Sequence, residues 1–457
     1  MTSTKEAIGS TFRAALGDIV LLPGDAGYEE AREVWNGTVT TRPAVIVRCR
    51  STADVVAAVT LTRDARAPLA VRGGGHSVAG LSSCEGGVVV DLTGMRAVTV
   101  APDSRTAVVE GGATWADLDG ATSAHGLAVT GGLISTTGVA GLTLGGGIGY
   151  LQRKHGLACD NLRGAEVVIA SGEVVEADEA LLWGLRGGGG NFGVVTRLTF
   201  DLHPVSTVVG GLMMFPLSRG TEVLRAFRDW AGEAPDEIST VVAVNTAPPE
   251  PFVPAELVGQ KVVAILGCWA GDVEEGTAAL APLRALGPAV DLFGPMPYVA
   301  LQSMLDAGAP SGLRYYFKGG YAEELDDAVI DVFLDHGARL ASPMSQLHLH
   351  QMGGQVAQRG TAHSSFSGRS AGWTYNLIGA WIDPAEDDLH VGAIRSVATA
   401  LGAHSLTSTY VNFEGDTNAD LVRRSYGDDL YDRLARLKRQ YDPQNLFRLN
   451  QNVRPAP

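Results

Sequence analysis

"PLAVRGGGHSVAG", residues 68–80, places one histidine directly after three glycines at the end of an apolar run. The apolar run predicts a short strand, and the glycines predict a loop whose bare backbone lets a ligand approach closely. His76 is then the side chain that reaches from this loop to a particular atom of the ligand. We therefore predict a binding site here rather than a simple turn.

A second glycine-rich block, "GGLISTTGVAGLTLGGGIGYLQRKHGLACDNL", covers residues 131–162. Residues 120–152 contain no Asp, Glu, Lys or Arg, a length that could cross a bilayer. Each glycine, however, weakens a helix by about 1 kcal/mol relative to alanine, so we interpret the block as a buried neutral loop system. The backbone amides of the two blocks could cradle a pyrophosphate and a flat polar ring, which matches a flavin dinucleotide.

The third block, "LLWGLRGGGGNFGVVT", residues 181–196, contains G-x-G-x-x-G at Gly188, Gly190 and Gly193. A dinucleotide fingerprint needs a strand before it and a helix after it. Here a helical pattern precedes the glycines and a strand pattern follows them, which argues against a Rossmann NAD site. The chain also lacks a P-loop motif, and no G-x-S-x-G follows an apolar strand.

Composition narrows the functional classes further. The 457 residues suggest two or three domains, and the net charge of −15 argues against a nucleic-acid partner. The four cysteines form no C-x-x-C pair, so neither a disulfide framework nor a zinc ribbon is indicated, and this cysteine usage fits a reducing cytoplasm. No export signal is visible at the N-terminus, which carries Lys5, Glu6 and Arg13, so we expect a cytoplasmic protein with no membrane partner.

The secondary-structure pattern is α+β without regular β-α-β alternation. Short β-rich runs separated by glycine fill the first part, and longer units begin near Val205. We predict domains at residues 1–205 and 206–405, with residues 406–457 returning to the first domain. Predicted strands of the second domain lie near residues 208–215, 240–243, 262–269, 346–352 and 375–380.

The three glycine blocks in this order, followed by "YDPQNLFRLNQNV" at residues 441–453, resemble the vanillyl-alcohol-oxidase superfamily and, within it, the berberine-bridge-enzyme-like flavin oxidases. The resemblance is dense from about residue 40 to about 215 and loose over residues 216–400. It implies a PCMH-type FAD-binding domain of two α/β subdomains. It also implies a substrate domain with an antiparallel sheet flanked by helices.

The resemblance implies a covalent bond between His76 and the 8α-methyl carbon of FAD. Some members carry a second link through a cysteine four residues before the position of Gly138, but Ile134 stands there in this chain. Cys159 is predicted to be an inert buried residue, so we expect a single link. The residues predicted to contact FAD are His76, Arg72, Gly73, Gly74, Gly75, Ser77, Thr136, Gly138, Gly141, Leu142, Gly145, Gly146, Gly149, Val195, Asn412, Asn450 and Asn452.

The substrate side is predicted at "QLHLHQM", residues 346–352, where the period of a strand turns His348 and His350 to one face. H-x-H is also a metal-ligand spacing, yet no third ligand lies at a conventional distance, and we predict no metal. A buried core pair and a pocket lining both stay open. The resemblance places this strand across the substrate from the flavin.

Tyr410 and Asn412 in "YVNF", and Asn450 and Asn452 in "NQN", show the same alternation. The resemblance brings both segments close to the flavin. Several relatives have a tyrosine near the position of Asn450 as a catalytic base, whereas an asparagine cannot accept a proton in that way. Tyr410 or His350 is therefore the candidate base, unless hydride leaves a neutral amine without one.

Together these features predict an FAD-dependent oxidase for a small alcohol, sugar, amine or secondary metabolite. Hydride would pass from a C–H bond next to O or N to flavin N5, and dioxygen would be reduced to hydrogen peroxide. The alternatives are a dehydrogenase that reacts poorly with dioxygen, a flavin monooxygenase, and a non-catalytic metal-binding protein.

Overall fold

The computed structural model describes residues 2–457, with side chains from residue 7 onward. Three large sheets, one two-stranded pair and the helices around them make up the fold. The α-helices, numbered in chain order, are α1 (Thr2–Leu16), α2 (Tyr28–Arg32), α3 (Thr52–Asp64), α4 (Trp115–Ser123), α5 (Val139–Leu144), α6 (Gln152–His155), α7 (Glu179–Leu185), α8 (Gly220–Glu233), α9 (Val273–Ala279), α10 (Ala281–Arg284), α11 (Tyr298–Gln302), α12 (Asp327–Ala338), α13 (Gln355–Gln358), α14 (Asp387–Leu401), α15 (Ala419–Tyr426) and α16 (Asp428–Tyr441).

The first sheet carries the loop that contains His76. Its strands are β1 (Val20–Leu21), β2 (Val45–Arg48), β3 (Leu69–Arg72) and β4 (Val88–Asp91), in the spatial order β1-β2-β4-β3. The last three run parallel, and their continuous apolar runs are typical of strands buried on both faces. Because β3 ends at Arg72, the three glycines leave the sheet at its carboxyl edge.

The second sheet is antiparallel and consists of β5 (Val98–Ala101), β6 (Thr106–Glu110), β8 (Leu162–Val168), β9 (Val174–Glu176) and β10 (Val194–Asp201). Helix α7 precedes residues 188–193 and β10 follows them, which confirms the element order that argued against a Rossmann site. The spatial order in this sheet is β5-β6-β10-β8-β9, while β7 (Leu127–Ala128) and β11 (His203–Pro204) form a separate pair.

The charge-free stretch of residues 120–152 folds as loops around the short helix α5. None of the helices within residues 2–457 has both the length and the apolar character that a bilayer span requires.

The third sheet has eight antiparallel strands: β12 (Thr207–Pro216), β13 (Ile238–Thr246), β14 (Lys261–Trp269), β15 (Val290–Asp291), β16 (Gly294–Pro297), β17 (Arg314–Ala322), β18 (Gln346–Gln351) and β19 (Trp373–Trp381). All five predicted strands are present, and β17 is a further long strand that the sequence pattern missed. Helices α8, α12 and α14 pack on one face of the sheet. The spatial order of the strands is β15-β12-β14-β13-β18-β19-β17, with β16 paired to β12.

A fully buried ion pair ties the C-terminal segment to the third glycine block. Lys438 and Asp442 are both 0% exposed, and Nζ lies 2.6 Å from the Asp442 carboxylate. The same ammonium donates to the carbonyl oxygens of Asn191 and Phe447. Helix α16 also packs against α7, so residues 428–447 are joined to the part of the chain that precedes β10.

Replacing Lys438 with methionine is expected to lower the free energy of unfolding by about 3–5 kcal/mol, because the Asp442 carboxylate would stay buried without its cation. Urea unfolding of both proteins measures the difference. Arg423→Met is the control: its partner Asp428 is exposed, and a surface pair contributes about 0–1 kcal/mol. Equal losses in the two variants would contradict the assigned role of the buried pair.

Candidate cofactor and substrate site

A cavity of about 440 Å³ lies between the glycine-rich loops and the third sheet. On one side its lining includes the glycines of the three glycine-rich blocks: Gly73, Gly74, Gly75, Gly138, Gly141, Gly145, Gly189, Gly190 and Gly193. On the other side it is lined by side chains from β17, β18 and β19. The cavity therefore has one wall of bare backbone and one wall of side chains.

The backbone wall is formed by two loops in direct contact. A Cβ atom on Gly74 would lie 2.3 Å from the backbone nitrogen of Gly138, and one on Gly138 would lie 2.4 Å from the nitrogen of Gly74. Any other residue at these positions would push the loops apart. Gly141 and Gly190 also line the cavity, and a Cβ atom there would meet nothing within 4 Å. The loops therefore present open backbone to a large ligand.

His76 lies at one end of this wall. Its ring stacks on Trp35, with centroids 5.1 Å apart and planes inclined by 18°. Nε2 lies 3.1 Å from the hydroxyl oxygen of Thr136, and Nδ1 lies 3.5 Å from that of Thr137. Burial lowers the pKa of His76 to about 4, so the imidazole is neutral at physiological pH and keeps a lone pair on one nitrogen.

Most of the residues predicted to contact FAD line the cavity, and five do not. Thr136 does not line the cavity, and its hydroxyl lies within hydrogen-bond distance of Nε2 of His76. Arg72 turns away, because its guanidinium donates to the carbonyl of Ala31. Gly146 and Gly149 lie behind the wall, packed against Phe366 and Gly131 respectively. The predicted residues that do line it are His76, Gly73, Gly74, Gly75, Ser77, Gly138, Gly141, Leu142, Gly145, Val195, Asn412 and Asn450.

Asn452, the fifth, does not line the cavity, whereas Asn450 and Gln451 both do. The prediction for Asn452 assumed an extended segment with period two. Residues 449–451 instead form bends, so neighbouring side chains share one side. The amide of Asn450 donates to the carbonyl of Phe447, which leaves its Oδ1 without a partner among the described residues.

Asn412 lies on a 3₁₀ turn (Val411–Phe413), and Tyr410 directly precedes this turn, so neither residue lies on a strand. The Tyr410 hydroxyl oxygen accepts hydrogen bonds from the backbone of Gly147 (2.9 Å) and Ile148 (3.4 Å) and from the Asn412 amide (2.9 Å). Three donors converge on an oxygen that has two lone pairs as a neutral phenol, so no lone pair is left to accept a substrate proton. Burial raises the pKa of Tyr410 to about 12. The ring of Tyr410 lines the cavity while its oxygen supports the second glycine block.

His348 and His350 both line the cavity from β18. The Nε2 atom of His348 lies 2.8 Å from Oε1 of Gln346, and neither ring nitrogen of His350 has a partner among the described residues. Burial lowers the pKa of His348 to about 4 and, together with His348, holds that of His350 well below its ordinary value. Within the described chain no group of three metal-ligating side chains is found.

Acidification below about pH 6.5 is expected to destabilise the folded protein. Burial lowers the pKa of His155 to about 3, and His155 stacks on His203 at 3.9 Å. The unfolded chain therefore binds protons that the folded protein excludes, and each such histidine costs about 1.4 kcal/mol per pH unit until its folded pKa is reached.

Urea midpoints measured between about pH 7 and about pH 5 test this pH dependence. His155→Phe should flatten the profile, whereas replacement of the exposed His125 should leave it unchanged. Parallel profiles for the parent protein and His155→Phe would contradict the prediction.

Several lining residues were missed by the sequence patterns. Trp35 precedes the first glycine block, and Tyr315 and Phe317 belong to the unpredicted strand β17. The Trp35 and Tyr315 rings stack at 3.7 Å. Asn376 on β19 pairs across the sheet with His348 and also lines the cavity. The four aromatic residues of "RYYFKGGYA", a residue type enriched in strands, were a usable signal for β17.

Cys159 is fully buried, and burial raises the pKa of its thiol well above the ordinary value. Its side chain does not line the cavity, whereas Ile134 does. The position at which some relatives carry a second cysteine therefore faces the cavity with an apolar side chain.

Two family models match this chain: "FAD binding domain" over residues 43–178 and "Berberine and berberine like" over residues 409–454. An FAD-linked oxidoreductase of Dictyostelium discoideum is 31% identical over 98% of this chain and 97% of its own length. The (R)-6-hydroxynicotine oxidase of Paenarthrobacter nicotinovorans is 28% identical over 95% of this chain and 96% of its own length.

Solved structures show the same fold. The 6-hydroxy-D-nicotine oxidase of Arthrobacter nicotinovorans superposes with a TM-score of 0.86 at 26% identity, covering 96% of this chain and 98% of that one. Berberine bridge enzyme from Eschscholzia californica gives a TM-score of 0.86 at 22% identity, covering 99% of each chain. These matches confirm the predicted α+β fold.

Proposed function

The chain belongs to the berberine-bridge-enzyme-like FAD-linked oxidoreductases, and we propose that it is an oxidase that holds FAD through His76 and oxidises a small molecule at a C–H bond next to O or N. The observation that supports this proposal best is the two-walled cavity. Bare backbone and a neutral His76 line one wall, and neutral polar side chains from β18 and β19 line the other.

The residues present fit FAD. Contact between Gly74 and Gly138 leaves amide-rich backbone facing the cavity, and a Cβ atom at Gly141 or Gly190 would fill space that the ligand needs. Backbone amides hold a pyrophosphate without bringing a further charge. When bound, FAD supplies the hydride acceptor and passes electrons on to dioxygen.

His76 is positioned as the nucleophile of the covalent link. The neutral imidazole has one nitrogen lone pair, and stacking on Trp35 fixes the plane of its ring. His76 would hold FAD by a bond from that nitrogen to the 8α carbon; the 8α carbon and the imidazole would each give up one hydrogen, and dioxygen would accept the two electrons and two protons as hydrogen peroxide. A link through Cys159 is not proposed, because that thiol is buried away from the cavity.

We call the wall formed by side chains of β17, β18 and β19 the substrate wall. There we assign proton acceptance to His350, and we assign a supporting role to Tyr410. His350 lines the cavity and neither of its ring nitrogens has a hydrogen-bond partner among the described residues, whereas the Tyr410 oxygen already accepts from N–H donors of Gly147, Ile148 and Asn412. His348, hydrogen-bonded to Gln346, orients the substrate beside His350. The burial of this wall excludes water from the reacting carbon.

We further propose that residues 1–205 and 406–457 form one FAD-binding unit and that residues 206–405 form the substrate domain. Support comes from the core that α7, α15 and α16 share. The turn (Val411–Phe413) meets both units, since it packs on β17 and on the second glycine block. A cytoplasmic location remains a prediction from cysteine usage.

Spectroscopy of the purified protein tests the function. We expect bound FAD, bleaching of the flavin under anaerobic conditions by one member of an alcohol, sugar and amine panel, and stoichiometric hydrogen peroxide when air is readmitted. Bleaching without peroxide would identify a dehydrogenase, and incorporation of labelled oxygen into the product would identify a monooxygenase. A colourless protein that binds no FAD would overturn the proposal.

A further inference from the structure

The substrate wall carries enough detail to define the class of substrate, an inference that rests on the proposed function. We propose that the substrate is a flat, uncharged and largely apolar molecule with one hydroxyl or N–H group, and that His350 and Asn376 bind this group. The apolar side chains around them hold the rest of the molecule.

The apolar part of the wall is extensive and mostly aromatic. Trp35, Tyr315 and Phe317 form a cluster in which Trp35 stacks on Tyr315, with planes inclined by 13°, and Phe317 meets both rings edge-on. Met344 and Ile378 continue this surface along the cavity. Flat rings gain the most from such surroundings, because they fill them with apolar contact at little cost in conformational entropy.

The polar part is small and lacks partners of its own. His350 is 3% exposed and Asn376 is 5% exposed, and both line the cavity. Both nitrogens of His350 and the Oδ1 atom of Asn376 make no hydrogen bond within the described residues. Buried polar atoms are normally satisfied, so these three atoms point to a ligand group. One hydroxyl or N–H can donate to Oδ1 of Asn376 or to the unprotonated nitrogen of His350.

The charges of the cavity argue against ionic substrates. Among its described lining residues Glu414 is the one acidic side chain, and its carboxylate lies 2.6 Å from the ammonium of Lys318. Both cavity histidines on β18 are neutral. A carboxylate or ammonium on the substrate would lose its hydration without meeting a free counter-charge.

The same wall argues against a carbohydrate. A sugar carries hydroxyl groups along most of its rim, and each needs a hydrogen-bond partner once it is buried. The aromatic cluster, Met344 and Ile378 offer none over most of the wall. Among the described side chains of β17, β18 and β19 that line the cavity, those able to satisfy such groups are Gln346, His348, His350 and Asn376, since the Tyr315 hydroxyl already donates to Pro310.

Ligand binding to the FAD-loaded protein tests the proposal without turnover. The probes are p-cresol, toluene, benzoate, benzylamine and cellobiose, and the readout is the change in the visible absorption of the flavin. We expect p-cresol to bind at least about 10-fold more tightly than benzoate, benzylamine and cellobiose. Asn376→Leu should weaken p-cresol binding by about 10-fold and leave toluene binding unchanged, because only one neutral hydrogen bond is lost.

Several results would overturn the substrate class. These are tighter binding of cellobiose or of either charged probe, equal weakening of p-cresol and toluene by Asn376→Leu, or no binding of either aromatic probe at millimolar concentration. These results would leave the proposed function unaffected. That function is contradicted instead if the purified chain holds no FAD or if no substrate reduces the bound flavin.

Discussion

Replacing His76 with alanine is expected to remove all covalently bound flavin while the protein still binds FAD reversibly. The glycine loops that form the backbone wall stay intact, because Gly74 and Gly138 contact each other and not the imidazole. Acid precipitation measures the effect: flavin should remain in the pellet of the parent protein and pass entirely into the supernatant of the variant. Peptide mass mapping should place the adduct of the parent protein on the peptide that contains His76.

Two control variants isolate this effect. His125 is exposed and remote from the cavity, so His125→Ala should retain the full amount of acid-stable flavin. Cys159→Ala should do the same, because the buried thiol does not face the cavity. Acid-stable flavin in His76→Ala, or its loss in Cys159→Ala, would show that the link is made elsewhere.

The cofactor wall could be predicted from the sequence because its signal is local. The sequence has three consecutive glycines directly before His76 and a second glycine-rich stretch over residues 131–149. Each short stretch by itself predicts exposed backbone. Trp35 carries no such signal. Its backbone N–H donates to the carbonyl of Gly75, and Tyr315 of strand β17 stacks on its ring; no local pattern encodes these long-range contacts.

Periodicity predicted orientation where the backbone is extended and failed where it bends. His348 and His350 lie on β18, a true strand, and face the cavity together. Asn452 and Asn450 lie in a bent segment, so the period of two does not apply. Asn376 was missed although it lies on a predicted strand, because only its cross-strand pairing with His348 reveals that it faces the site.

Replacing His350 with leucine is expected to slow flavin reduction by about 10²-fold or more at saturating substrate, whereas Tyr410→Phe should slow it by less than about 10-fold. His350 keeps an unprotonated nitrogen across the neutral pH range, since burial holds its pKa well below the ordinary value. A weak base is sufficient here, because a substrate hydroxyl becomes strongly acidic as the hydride leaves. Tyr410→Phe removes the acceptor for the backbone N–H groups of Gly147 and Ile148 and for the Asn412 amide.

Anaerobic stopped-flow measurement with the substrate found by flavin bleaching separates the two roles. The rate of bleaching at saturation reports the chemical step, and the concentration dependence reports binding. Tyr410→Phe should also release FAD more easily when combined with His76→Ala, because its hydroxyl supports the second glycine block. A loss of 10²–10⁴-fold in Tyr410→Phe, with His350→Leu near the parent rate, would instead make Tyr410 the base. Parent rates in both variants would leave hydride transfer from a neutral amine as the mechanism, because neither side chain would then be needed to accept a proton.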